Sequence, residues 1–249
     1  MLRFPCYHDC VGALQRAYFN HVYNPLYDAT TATLNRYKTL QERCIRALEL
    51  QSAHRILCVG LGTGNEVVAA IQVAPQLSIS GIDLSSSALA ASRRKLRHLG
   101  RKADLQRMDA TAIHYADNCF DRALCMHVLD FVDEAEIAIQ EIVRVLSPGG
   151  RFVLTLPSRA NGASLGAALA KDHIRAALRS GRHPLAVAAE VILRFSLGLA
   201  YAPLAMRPRQ RSFSTGGARE LFAGLPVCPI AIEEEPAYQD IIVTVVKTG

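Results

Sequence analysis

Gly60, Gly62 and Gly64 alternate in the stretch Val59-Gly-Leu-Gly-Thr-Gly-Asn-Glu66, set between an apolar run and a helical pattern. A strand that ends in such bare backbone can bring N–H groups against a ligand, and the next helix offers its positive end to an anionic group. The arrangement suits a nucleotide-like cofactor. Its spacing narrows the choice, because a dinucleotide fingerprint needs G-x-G-x-x-G with pyrophosphate at the helix N-terminus. Here the third position falls on Asn65, and Glu66 sets a carboxylate where a doubly charged pyrophosphate would rest. A nicotinamide oxidoreductase is disfavoured on both counts. The second candidate is His127, which follows the apolar run Phe120–Met126 at an edge where ligands bind in such sheets, with a pKa suited to general-base work. The alternative reading of His127 is a pocket-wall histidine that contacts the cofactor. Asp130, His114, Tyr27 and His21 are further candidates for the base.

The elements that must position these groups follow in a regular order. Leu77–Asp83 reads as an apolar strand ending in an acid 19 residues beyond Gly64, and such an acid accepts hydrogen bonds from the two hydroxyls of a ribose. Ser85 can cap the following helix, which carries Ala88, Leu89, Ala91, Leu96 and Leu99, and Gly100 ends it. Arg93, Arg94, Lys95 and Arg97 on that helix read as a solvated face. Ala103–Ala110 and Phe120–Met126 are the third and fourth strands. Ile142–Leu156 is helix, turn and fifth strand, with Pro148-Gly149-Gly150 stopping the helix and permitting positive φ. Val227–Glu234 and Tyr238–Lys247 form a β-hairpin about Pro236, so the last strand runs antiparallel to its neighbour. Strands alternating with helices imply an α/β fold, a Rossmann-like doubly wound and mostly parallel sheet.

Taken together, the G-x-G-x-G loop, Asp83, the Asp109-Ala110 pair, the Phe120-Asp121 opening of strand four and the Pro-Gly-Gly turn resemble the class I S-adenosylmethionine (SAM) dependent methyltransferases. The resemblance is close over roughly residues 24–157 and looser in the C-terminal strands. It is strongest to the ubiquinone and menaquinone C-methyltransferases and the phospholipid N-methyltransferases. It implies a seven-stranded sheet with an antiparallel seventh strand, and SAM as cofactor. It also implies that Gly60, Gly62, Thr63, Gly64, Asp83, Leu84, Asp109, Ala110 and Met126 hold that cofactor, with Asp109-Ala110 beside the adenine amino group. Asn24-Pro-Leu-Tyr-Asp28 resembles the segment that closes over the cofactor in these enzymes, which makes Tyr27 a cofactor contact. The other reading is that Tyr27 packs on the core and Asp28 caps the next helix. The family usually has an acid where this chain has Cys58, and a thiol cannot supply that charge. Either another acid such as Glu66 compensates, or cofactor binding is weakened or altered. The N-P-P-Y motif of enzymes acting on adenine or glutamine amides is absent after strand four.

At 249 residues and 50% apolar, the chain suits one domain over 1–249. Its parts are a helical lead-in and lid (1–50), a SAM-binding core (51–157), a helical insertion between strands five and six (158–212), and a C-terminal helix with hairpin (213–249). Leu34, Tyr37, Leu40, Ile45 and Leu48 give the lead-in its apolar face. Between Arg159 and Arg211 nine Lys or Arg stand against two acids, more surplus charge than the whole chain's formal +6. Apolar residues fill the intervals. Such a segment can cap a greasy pocket, lie on an anionic membrane with arginines reaching phosphates, or form a homodimer interface. Aromatics total 6% with no Trp, and the cations lie in an apolar stretch, so a nucleic-acid methyltransferase or binder is disfavoured. Seven scattered cysteines fit reduced thiols, and Cys6, His8 and Cys10 lack a second ligand pair, so no metal site is expected. With neither a signal peptide nor a membrane span in evidence, the expected location is cytoplasmic, with peripheral membrane contact left open. The expected function is methyl transfer from SAM to a small lipophilic acceptor such as a quinone-like ring, a lipid or a hydrophobic secondary metabolite. The alternatives are a SAM-binding protein with weak or unusual non-methylating activity, or a nucleic-acid methyltransferase.

Overall fold

The computed structural model describes residues 17–31, 35–158 and 212–249, with Lys171, Arg175 and His183 besides. A π-helical stretch, Phe19–Tyr23, leads into α1 (Asn24–Thr31), and α2 (Asn35–Ala47) precedes the first strand. The core then alternates β1 (Arg55–Val59), α3 (Asn65–Val73), β2 (Ser78–Asp83), α4 (Ser86–His98), β3 (Asp104–Arg107), β4 (Phe120–Cys125), α5 (Ala135–Val145) and β5 (Leu146–Pro157). After a short helix, α6 (Thr215–Glu220), come β6 (Val227–Glu235) and β7 (Asp240–Lys247). The sheet order is β3-β2-β1-β4-β5-β7-β6. Strands β1 to β5 pair in parallel, and β7 inserts antiparallel between β5 and β6. That is the doubly wound sheet with an antiparallel last strand that the sequence leads one to expect.

Burial on both faces explains why β1 reads as an unbroken apolar run. Its side chains alternate, so Leu57 and Val59 join one core layer while Ile56 and Cys58 join the other. Ala138, Ile139 and Ile142 of α5 cover the first face, and Leu40, Ile45, Val67 and Ile71 of α2 and α3 cover the second. Truncating one of the fully buried side chains, such as Leu57 to Ala, should cost about 2–5 kcal/mol.

Ser85 caps α4 by accepting from the Ala88 N–H at 3.2 Å, and Gly100 at φ +64 ends it. Four local readings need correction. Lys95 is not a solvated charge: its Nζ reaches Asp28 Oδ1 at 2.8 Å and Asn65 Oδ1 at 2.6 Å. Asp28 caps no helix, since it lies inside α1. The third strand ends at Arg107, which leaves Asp109 and Ala110 in the turn beyond it. Strand β5 begins at Leu146, ahead of the Pro-Gly-Gly turn, because Leu146 already pairs with Phe120 and a register shift absorbs the turn. Gly149 in that turn has φ +74. Leu34, the Cys6-His8-Cys10 segment and nearly all of the 158–212 insertion, including its cap, membrane and dimer readings, lie outside the described residues. Among the described residues no helix is long and apolar enough to cross a membrane.

Candidate active site

Strand order reverses at β1, whose neighbours are β2 on one side and β4 on the other. The loops leaving the carboxyl ends of β1 and β4 therefore diverge around a crevice, the place where open α/β sheets take their ligands. Gly60 and His127 stand at its two lips. Gly60 has φ +60, and a Cβ there would lie 2.3 Å from Val128 Cγ2, so the Val128 side chain packs directly on the bare backbone of Gly60. Gly64, at φ +83, is the N-cap of α3, and a Cβ on it would meet Ser92 Oγ at 2.7 Å. Only glycine lets α4 pack this closely against the loop.

The acid of β2 is tied to the same loop. Asp83 accepts from the Gly62 N–H at 2.8 Å and from the Ser85 N–H at 2.7 Å, one on each carboxylate oxygen. Burial pushes its pKa up, against those two donors. Each oxygen keeps a second lone-pair site. Leu84, beside it, is half exposed and offers an apolar face. Asp109 is exposed and accepts from the N–H and hydroxyl of Thr111, while Ala110 is buried. Thr63 is buried and donates its hydroxyl to Asp28 at 2.6 Å.

A narrow cleft beneath the loop is lined by Cys58, Gly60, Leu61, Glu66, Leu124 and Met126, among others. Cys58 is buried, and burial pushes its thiol up to about 12, so it stays neutral. Glu66 is the acid in this lining. It accepts from the hydroxyl of Tyr37 and from Gln41 Nε2 at 3.4 Å. Burial, then the nearby Glu66 charge, holds Tyr37 well above the usual phenol pKa, so its hydroxyl is a donor. Tyr27 donates to Tyr37 Oη at 3.1 Å, the two rings meeting edge to face at 6.2 Å. Its described hydrogen bond thus serves the lining of the cleft. The α1 segment and the π-helical stretch before it also reach the turn after β2, with Asn24 Nδ2 on Ser85 Oγ at 2.8 Å and Asn20 Oδ1 accepting from Ser85 Oγ at 2.6 Å. They close over the loop through polar contacts.

His127 sits just past β4 with φ +54, a left-handed conformation costly for a residue with a Cβ. Its N–H donates to Thr155 Oγ1 at 3.0 Å, and its Nε2 lies 2.6 Å from Asp240 Oδ2 at the start of β7. Tyr238 stacks on the ring at 5.1 Å. Burial lowers the pKa of His127, but Asp240, Asp130 and Glu66 together raise it above the ordinary 6.5. Asp130 follows in a short 3-10 turn, Leu129–Phe131. His21 and His114 are exposed; neither is drawn into this cluster by a described hydrogen bond. Sequence reasoning missed Asp240, Tyr37 and Lys95. An acid opening an apolar strand was visible at 240, but its partner stands 113 residues away.

Residues 57–154, which hold the loop, Asp83, the β3 turn and β4 to β5, match the family model described as a methyltransferase domain. Over those residues the chain is similar to the class I SAM-dependent methyltransferases. The chain is 32% identical over 102 residues to phosphatidylethanolamine N-methyltransferase of Cereibacter sphaeroides, covering 40% of this chain and 49% of that one. It is 32% identical over 143 residues to demethylmenaquinone methyltransferase of Thermus thermophilus, covering 56% and 64%. The chain spans less than two thirds of the length of these curated relatives. Among solved structures, magnesium protoporphyrin IX methyltransferase from Synechocystis PCC 6803 superposes with a TM-score of 0.65 at 12% identity, over 95% of this chain and all of that one. The [4+2]-cyclase SpnF superposes with a TM-score of 0.58 at 21% identity, over 96% of each chain. These likenesses establish the fold.

Proposed function

We propose that the protein is a methyltransferase that binds SAM across the loop Gly60–Gly64 and transfers its methyl group to a small, lipophilic acceptor. The observation that carries this is the crevice between β1 and β4. One lip is bare backbone held to the Asp83 carboxylate, the other is His127, and Glu66 lies in the cleft between. The fit to SAM is specific in charge. Asp83 can accept from two hydroxyls with its remaining lone pairs, Leu84 can lie against an apolar ring face, and Glu66 can face an ammonium where Cys58 offers no charge. SAM supplies an electrophilic methyl group on a sulfonium. The chain's task is then positioning and exclusion of water, which the α1 segment serves by lying over the loop. His127 takes the acceptor's proton where the nucleophile must lose one.

A lipophilic acceptor is supported by the acceptors named in two relatives, phosphatidylethanolamine and demethylmenaquinone, and by the apolar, cationic sequence of 159–211. The same sequence supports peripheral contact with an anionic membrane. Co-sedimentation with anionic vesicles should then weaken at high salt and on neutralising Arg207, Arg209 and Arg211. Incubating the protein with methyl-labelled SAM and a lipid extract tests the main reading: label in the organic phase supports it. A second reading, a SAM-binding protein that transfers no methyl group, is favoured by the neutral Cys58. Bound SAM with label in no acceptor would select it.

A further inference from the structure

Resting on the reading of His127 as the proton acceptor, we propose that Asp240 is its positioning residue. Asp240 accepts the Nε2 proton and so fixes the tautomer in which Nδ1 is the nitrogen that receives the acceptor's proton. Geometry carries this. The Asp240 side chain is 1% exposed and its Oδ2 lies 2.6 Å from His127 Nε2. Its Oδ1 has no hydrogen-bond partner among the described residues, so the imidazole is the group that answers the carboxylate charge. A carboxylate this deep is costly without a donor, so the Nε2 site is committed to holding a proton. Nδ1, with no described hydrogen bond, is left for the reaction.

The backbone is bent to make the pair. His127 has φ +54 and Gln239, immediately before Asp240, has φ +61. Two such left-handed residues cost about 1–3 kcal/mol each and persist where the surroundings over-determine them. Here Thr155 Oγ1 accepts the His127 N–H, and the register of β5 on β7 sets Asp240 opposite Pro157. Tyr238 stacks on the ring and Tyr37 tilts against it at 6.2 Å, fixing its plane. The titratable groups facing His127 are Asp240 from β7, Asp130 from the turn after β4, Glu66 from α3, Tyr37 from α2 and Tyr238 from the hairpin turn. Three of these are carboxylates, and they outweigh burial to raise its proton affinity. In the transfer step the nucleophile's lone pair forms the new bond to the methyl carbon and the sulfur–methyl bond breaks onto sulfur. The proton the acceptor loses passes to Nδ1, giving an imidazolium whose Nε2–H remains on Asp240, and it leaves to water with the product.

The test is nitrogen NMR of the His127 ring across pH, with the pH profile of methyl transfer, in the wild type, Asp240→Asn and Asp240→Glu. The wild type should show a protonated Nε2 and bare Nδ1 at high pH, with a midpoint above 6.5. Asp240→Asn should lose that tautomer bias, titrate at lower pH, shift the acid limb of turnover with it and lower kcat by about 10–100-fold with cofactor affinity kept. Asp240→Glu, which keeps the carboxylate, should retain the raised midpoint. Wild-type protein carrying its proton on Nδ1, or an Asp240→Asn midpoint and acid limb unmoved, overturns the proposal. If the ring behaves as expected while none of the three proteins transfers a methyl group to any acceptor, the failure belongs to the proposed function.

Discussion

The two lips of the crevice are built in different ways. The cofactor lip is local: its key hydrogen bond, from Gly62 to Asp83, spans 21 residues, Gly60 and Gly64 lie two residues either side of Gly62, and backbone conformation does most of the work. The acceptor lip is assembled from far apart, His127 meeting Asp240 across 113 residues and Tyr37 arriving from a helix ahead of the sheet. The difference teaches where each function is encoded. On the proposed function, binding rests on main-chain shape that few side chains can alter, whereas proton handling rests on side chains whose partners only the fold brings near.

The largest effect should come from breaking the cofactor lip. Gly60→Ala forces a Cβ to 2.3 Å from Val128 Cγ2 at φ +60, so the loops must part. The expected result is loss of SAM affinity of at least about 100-fold in calorimetry and a stability loss of about 1–3 kcal/mol in urea unfolding. Retention of near wild-type affinity would show that the loop does not hold the ligand. Next, His127→Ala breaks the acceptor lip alone, and kcat should fall about 100- to 10,000-fold while the cofactor Kd stays put. Equal losses in both would merge the two lips and remove the distinction.

A finer probe sits between them. Glu66→Gln should weaken SAM about tenfold, leave methylthioadenosine, which lacks the amino acid portion, unaffected, and be rescued by adding Cys58→Asp. A matching loss for methylthioadenosine would place Glu66 elsewhere than against the ammonium. The smallest effect is on stability against pH. Because the folded pKa of His127 is raised, its pairing stabilises fully below about 6.5 and that contribution fades as pH rises through the raised value. Thermal melts should show that trend in the wild type and a flatter one in Asp240→Asn.

This contrast also explains what the sequence could disclose. The glycine spacing, the acid closing β2, the Ser85 cap and the hairpin about Pro236 are short-range patterns, and each appears in the fold where its local physics puts it. His127 was legible as a candidate because it follows a strand at the carboxyl edge. Asp240 was not, because only the antiparallel insertion of β7 beside β5 brings it to that edge. Lys95 misled for the same reason: its basic run looks solvated until α1 folds back and sets Asp28 within 2.8 Å. The anomaly at Cys58 was readable, while the Tyr37 hydroxyl and Gln41 that orient Glu66 beside it were not.

The central claim is that the glycine loop and Asp83 form a SAM site and not a dinucleotide site. Calorimetric titration of the full chain with SAM and with NAD in parallel tests it most directly. The account predicts saturable one-to-one binding of SAM, weakened by Gly60→Ala, and no measurable binding of NAD. Tight NAD binding without SAM binding would contradict it.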